Sequence, residues 1–276
     1  MKLGIGAFVS DDGIRPAVLA KAVEERGFES LLVPEHSHIP VHGKTPFPYG
    51  GAIPTYYSHL LDPFVVLATA AAVTKSLVLG TGITLVIQRD VIQLAKEIAS
   101  VDLVSGGRFI LGVAAGWHRE QMSNHGVDPR TRGSLMSEQL GALKEIWTND
   151  EAEFHGKFVD FDPIWAWPKP VQTPHPPIYV GGQSASTFRR IKELGNGWIA
   201  TAAGDLVGAQ EQIDLAAQHI PGLPVTVFGA DYNDMAILKT YRDANIERVA
   251  LMLEPASESE SLSTLDRMAA LIDQIR

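Results

Sequence analysis

Eight short apolar runs alternate with helical patterns along the 276 residues of this chain: Leu3–Val9, Ser30–Val33, Leu77–Thr84, Phe109–Val113, Ile178–Val180, Gly197–Ala200, Pro224–Phe228 and Arg248–Leu253. Most of these runs are flush with apolar side chains rather than alternating apolar with polar. That is the pattern of parallel strands covered on both faces. The helices between them carry start and stop signals. One has Pro16 near its start and stops at Gly27. Another repeats apolar residues at Val91, Leu94, Ala95, Ile98 and Val101 and ends at Gly106-Gly107. A later helix runs from about Thr187 to Leu194, and the last is expected over Ser261–Ile275. Eight strands alternating with helices is the count of a TIM (β/α)₈ barrel, whereas a doubly wound sheet usually has fewer. No Pro/Gly/Ser-rich linker divides the chain, so residues 1–276 read as one domain.

Composition narrows the function classes. The formal net charge of -9 argues against a general nucleic-acid or anionic-membrane surface, because phosphate backbones require clustered Lys and Arg. There are no cysteines, which excludes disulfides, thiolate metal sites and a cysteine nucleophile and fits a cytoplasmic location. No apolar run reaches the roughly 18 residues of a membrane span. The apolar stretch at the N-terminus is too short for a signal peptide. A hydrolase is poorly supported, since no Gly-x-Ser-x-Gly elbow is present.

Two segments break the rhythm. Residues 37–61 are irregular and rich in Pro, Gly, Tyr and His. Residues 151–177 carry Phe154, Phe158, Phe161, Trp165 and Trp167 among several prolines. Long loops are often functional, and barrel enzymes build their sites at the C-terminal mouth, so both loops are expected to lie over that mouth. A satellite core under a long loop is the competing reading of the aromatics. His38, His42 and His59 match no standard metal spacing, and no metal site is expected. Asp102 and Arg108 flank Ser105-Gly106-Gly107 and read as a structural ion pair or cap at the bottom of the barrel.

Several segments, in order, resemble one family. They are Gly27-Phe28-Glu29-Ser30-Leu31-Leu32-Val33-Pro34-Glu35-His36, Leu61-Asp62-Pro63-Phe64, Leu79-Gly80-Thr81-Gly82-Ile83, and Ser105-Gly106-Gly107-Arg108-Phe109 through Gly116-Trp117. Then follow Trp167-Pro168-Lys169-Pro170, Pro177-Ile178-Tyr179-Val180-Gly181-Gly182 and Leu194-Gly195-Asn196-Gly197-Trp198. Together they resemble the luciferase-like monooxygenase superfamily, especially its actinobacterial-type coenzyme F420-dependent branch. The resemblance implies a flavin or deazaflavin in the barrel mouth, F420 first and FMN as the alternative.

It also implies roles. Glu35-His36 matches an acid–histidine pair, with Glu35 near the cofactor head group and His36 beside the reacting carbon. Imidazole suits proton transfer near neutrality. At Gly82-Ile83 the resemblance implies a non-prolyl cis peptide behind the cofactor ring. Trp117 is expected to wall the substrate pocket. The family's sugar-phosphate dehydrogenases carry a catalytic glutamate at this position, so Trp117 directs the reading away from that activity. Glu120, a turn further on, either hydrogen-bonds the cofactor or caps a helix. Gly181, Gly182, Gln183 and Ser184 join a strand to a helix, an arrangement that presents backbone N–H groups to an anion. The resemblance puts the cofactor phosphate there, with Arg189 and Arg190 one turn in. A barrel phosphate site more often follows strands seven and eight, so either the strand count or the placement departs from that rule.

The sequence therefore supports three functions. The first is hydride transfer between F420 and a small organic substrate, with His36 as proton donor or acceptor. The second is an FMN-dependent two-component monooxygenase of the same fold, and the third a non-catalytic cofactor- or ligand-binding barrel. The resemblance also implies a homodimer.

Overall fold

The computed structural model describes residues 1–275. Its elements are β1 (Lys2–Ala7), α1 (Pro16–Glu25), β2 (Ser30–Val33), α2 (Pro63–Val73), β3 (Val78–Thr81), β4 (Thr84–Leu85), α3 (Val91–Ser105) and β5 (Phe109–Ala114). They continue with α4 (Arg119–Asn124), α5 (Arg132–Thr148), β6 (Ala152–His155), β7 (Asp160–Ile164), β8 (Ile178–Gly181), α6 (Ala185–Leu194) and β9 (Gly197–Thr201). The chain ends with α7 (Leu206–His219), β10 (Val225–Ala230), α8 (Met235–Asp243), β11 (Arg248–Leu253), α9 (Glu258–Ala269) and α10 (Ile272–Ile275).

Parallel pairing runs β3-β2-β1-β11-β10-β9-β8-β5, and a β3–β5 pairing closes the ring. This is an eight-stranded TIM barrel, with β4 a short continuation of the third stave that pairs with β5 at Thr84↔Val113. All eight sequence runs become staves. Their flush apolar character has a direct cause. Leu3, Ile5, Leu31, Leu111, Val180, Trp198, Val227 and Leu251 point outward to the helices and belong to the main core. Leu32, Tyr179, Ile199, Phe228 and Ala250 point inward and form a second cluster. Each strand is buried on both faces.

The N-terminal end of the barrel is plugged by charge. Arg248, nearly fully buried, donates to both Glu29 carboxylate oxygens at 2.7 Å and to Thr226 Oγ1 at 3.1 Å. Tyr179 Oη donates to Glu247 at 2.7 Å beside it. A bidentate guanidinium–carboxylate pair with its remaining donors satisfied is the form in which buried charge is tolerated.

Three expectations need correction. The segment 151–177 does not lie over the mouth. It forms the antiparallel hairpin β6–β7, held by Glu138 of α5, which accepts from the Phe158 and Val159 N–H groups. It then descends the flank, where Lys169 Nζ donates to the Ile146 and Asn149 carbonyls, and reaches the barrel bottom. The cause is connectivity, because α5 ends at the bottom and β8 must start there. The aromatics divide: Phe154 and Phe161 stack at 6.5 Å, whereas Trp165 and Trp167 are exposed.

Asp102 and Arg108 make no ion pair. The buried Asp102 carboxylate accepts from the Val171 and Gln172 N–H groups and from Gln172 Nε2, while Arg108 donates to the Ala71, Thr74, Leu77 and Ser105 carbonyls. Asp102 ties residues 171–172 to α3, while Arg108 caps the C-terminal ends of α2 and α3, so of the two readings the cap is the one found. The last helix is two, α9 and α10, and the break turns Ile272 and Ile275 into the core.

Candidate functional site

One cavity of about 670 Å³ opens at the C-terminal ends of the staves, within the usual range for small-molecule sites. Its walls come from the residues just after β2 and from β4, β5, β8, β9 and β10, with Pro48, Tyr49 and Tyr57 from the loop 37–61, which does lie over the mouth. The structure brings Glu35, His36, Gly82, Ile83, Trp117, Gly181, Gly182, Gln183 and Ser184 together on its lining. Glu120 is not on the lining. Its carboxylate accepts from the Lys44 N–H at 2.9 Å and from Thr45 Oγ1 at 2.5 Å, fastening the 37–61 loop to α4. Those bonds hold its carboxyl well down, at about 2.

His36 follows β2 at one end. Its ring packs 5.1 Å from Tyr57 and 5.8 Å, edge to face, from Trp117, and Phe47 bridges these two at 5.4 and 5.7 Å. Nδ1 lies 3.1 Å from Gln121 Oε1. Removal from water pushes the imidazole down to about 4, so it is neutral at pH 7. Tyr57 is buried, which pushes its hydroxyl upward and keeps it protonated.

Glu35 is committed to the scaffold. It accepts from the Leu85 N–H at 2.8 Å and from Arg89 Nε at 2.7 Å, and Arg89 also reaches Asp62 at 2.5 Å and Glu97 at 3.0 Å. Burial pushes the Glu35 carboxyl upward, against the pull of Arg89 and of the Leu85 N–H. Through Leu85, Glu35 anchors the segment that begins at Gly82-Ile83, whose peptide bond is cis. A Cβ on Gly82 would meet Phe228 ring carbons at 2.5 Å, so only glycine lets this strand end close over the ring.

The other end of the cavity is cationic. β8 runs through Gly181 into Gly182, whose φ of 110° is glycine territory, and Ser184 caps α6 by accepting from the Thr187 N–H. Arg190 is buried, whereas Arg189 is exposed. Arg190 donates to Ser137 Oγ at 2.9 Å and to the Gly133 carbonyl at 2.8 Å and forms no salt bridge among the described residues, Glu193 acting on it only from beyond contact. Arg130 and Arg132 also line this end. These two arginines, Gln121, Tyr57 and Phe228 escaped the sequence reading. Arg130 and Arg132 sit at the start of α5 without a motif, and Phe228 looks like ordinary strand interior. The strand count proves right, so the helix N-terminus on this cavity is the one after the fifth stave, unlike the usual barrel phosphate site.

Among the described residues no group of three or more His, Asp or Glu side chains is arranged to hold a metal ion, and no helix is long and apolar enough to cross a membrane. The chain belongs to the luciferase-like monooxygenase family, whose model matches residues 14–220. That makes it by class a member of a superfamily of flavin- or F420-dependent oxidoreductases and monooxygenases. It is 37% identical to an uncharacterized protein of Mycobacterium tuberculosis over 98% of both chains. Its fold is similar to that of the monooxygenase RslO1 from Streptomyces bottropensis, with a TM-score of 0.78, 19% identity and 99% of each chain covered. It is also similar to that of the coenzyme F420 dependent tetrahydromethanopterin reductase from Methanopyrus kandleri. There the TM-score is 0.63 at 21% identity, over 88% of this chain and 71% of that one.

Proposed function

We propose that this chain is an oxidoreductase that transfers a hydride between coenzyme F420 and a small organic substrate. The observation that carries the reading is the buried, carboxylate-free Arg190 beside the α6 N-terminus, in the same cavity as His36. A buried guanidinium with no carboxylate in contact is costly, and an anion there relieves the cost. The residues suit a phosphorylated ring cofactor. The N–H groups of the 182–187 turn, Ser184, Arg190 and Arg132 would hold its phosphate. Gly82, Ile83 and Ala114 line the part of the cavity where a flat ring would lie. When bound, a deazaflavin supplies two-electron hydride chemistry with little reactivity toward oxygen.

The chain's own part is orientation, exclusion of water and proton movement. His36 faces the cavity as a neutral imidazole that takes the proton a substrate loses as its hydride leaves, and in the reverse direction the imidazolium so formed gives that proton back. Trp117, Phe47 and Tyr57 make the wall behind it apolar, which suits an organic substrate with an apolar or aromatic body. Glu35, first read as a cofactor contact, serves this reading as the anchor of the ring-facing segment.

The reading extends to a homodimer. Val65 and Val73 of α2, and Ile92, Leu103 and Val104 of α3, are exposed apolar side chains on the barrel's outer surface, and a second copy would cover them.

Equilibrium fluorescence titration with F420 and, separately, with FMN tests the cofactor. F420 is expected to bind at micromolar or tighter Kd, with FMN at least about tenfold weaker. The reverse order turns the reading to the FMN-dependent two-component monooxygenase. Binding of neither leaves a non-catalytic barrel.

A further inference from the structure

We infer that Gln121 is a positioning residue that holds His36 as the Nδ1–H tautomer, leaving Nε2 as the basic nitrogen facing the cavity. The tautomer assignment stands on this chain alone; its catalytic consequence rests on the function proposed above.

Gln121 is 1% exposed and lies in the first turn of α4, and its backbone N–H is taken by the N-cap His118 at 3.4 Å. Its side-chain amide sits between two groups, with Oε1 3.1 Å from His36 Nδ1 and Nε2 3.4 Å from Ser37 Oγ. The Ser37 hydroxyl also lies 2.8 Å from His125 Nε2 and 3.0 Å from His38 Nδ1, and Asn124 Nδ2 lies 2.9 Å from His38 Nε2.

One hydroxyl donates once. The shortest of its contacts, to His125, has the length typical of an O–H donor, and the longer ones suit N–H donors. Asn124 donates to His38 Nε2, so His38 carries its hydrogen on Nδ1 and donates it to Ser37. Ser37 in turn donates to His125, and its remaining lone pair accepts from the Gln121 amide N–H. The amide carbonyl then faces His36. A carbonyl oxygen only accepts, so the hydrogen of the neutral His36 ring resides on Nδ1.

Among the described residues the only hydrogen bond of the His36 ring is the one at Nδ1, and the ring lines the cavity. The rings of His118 and His38 both oppose a positive charge on His36, and the Tyr57 hydroxyl beside it stays protonated. Gln121 thereby does for His36 what an orienting carboxylate does for many catalytic histidines, without adding negative charge.

The test is nitrogen-15 NMR of the imidazole in the full-length chain without cofactor, with His36 assigned by its loss in His36→Gln. Wild type is expected to show a protonated Nδ1 and a pyridine-type Nε2. Gln121→Leu is expected to lose this preference and populate the Nε2–H form. Gln121→Glu is expected to retain it and raise the His36 titration midpoint by roughly one unit or more, as a nearby carboxylate does. A pyridine-type Nδ1 in wild type means that the amide is turned over, and overturns the inference. So does a tautomer unchanged in Gln121→Leu. If Gln121→Leu fails to fold, an unmoved midpoint in Gln121→Glu overturns it and a raised one supports it. None of these outcomes depends on which cofactor binds, so failure here is distinct from failure of the F420 reading.

Discussion

Burial sets the chemistry of His36 before any ligand arrives. Its folded-state value of about 4 lies below the ordinary 6.5, so between those values the unfolded chain binds the proton that the native state refuses. The stability this residue contributes is therefore complete above about pH 6.5 and falls away as pH drops toward 4, by a total of about 3 kcal/mol. Urea unfolding across pH 4 to 7 should show this acid loss in wild type and a flatter profile in His36→Gln. An equally steep profile in the variant would assign the loss to other groups. Arg190 is the other decisive residue. Replacing it with Met is expected to weaken phosphate-bearing F420 or FMN by roughly 10- to 100-fold, the worth of one or two charge-assisted hydrogen bonds. Riboflavin, which lacks the phosphate, should bind wild type and variant alike. Equal losses for FMN and riboflavin would remove the phosphate from this end of the cavity.

At the level of elements, the site depends on how strand ends are held. Gly82 lies against the inward face of Phe228, so Gly82→Ala should cost roughly 1–3 kcal/mol in thermal or urea unfolding. Adding Phe228→Leu should recover part of that loss; no coupling between the two would place the strain elsewhere. The sequence marked Gly82-Ile83, Glu35-His36 and Gly181-Gly182 because each closes a short apolar run, where glycine or a charged residue stands out. It did not mark Phe228 or Ile199, since an inward-facing strand residue looks the same whether it fills a core or floors a cavity. Arg130, Arg132 and Gln121 escaped for another reason. Arg130 and Arg132 reach the cavity from the start of α5, and Gln121 reaches His36 from α4; nothing in a single sequence says where such segments land. The hairpin β6–β7 was hidden because its aromatics carry no strict alternation, and its path to the bottom follows from connectivity, not from local pattern.

For the whole molecule, the barrel was legible from rhythm alone, because eight two-sided apolar runs separated by helices have few other closed arrangements. Its outer surface carries the proposal of a second copy. Sedimentation velocity should give a dimer for wild type and a shift toward monomer for Val65→Glu combined with Val104→Glu, whose side chains are 64% and 60% exposed. A monomeric wild type would leave those valines without a partner. The central claim is that one mouth holds the cofactor between the α6 N-terminus and His36. A crystal structure of the F420 complex tests it most directly. The account predicts the phosphate against the 182–187 turn and Arg190, with the reactive edge of the ring toward His36 Nε2. Cofactor bound away from this cavity, or reversed so that its phosphate lies by His36, would contradict it.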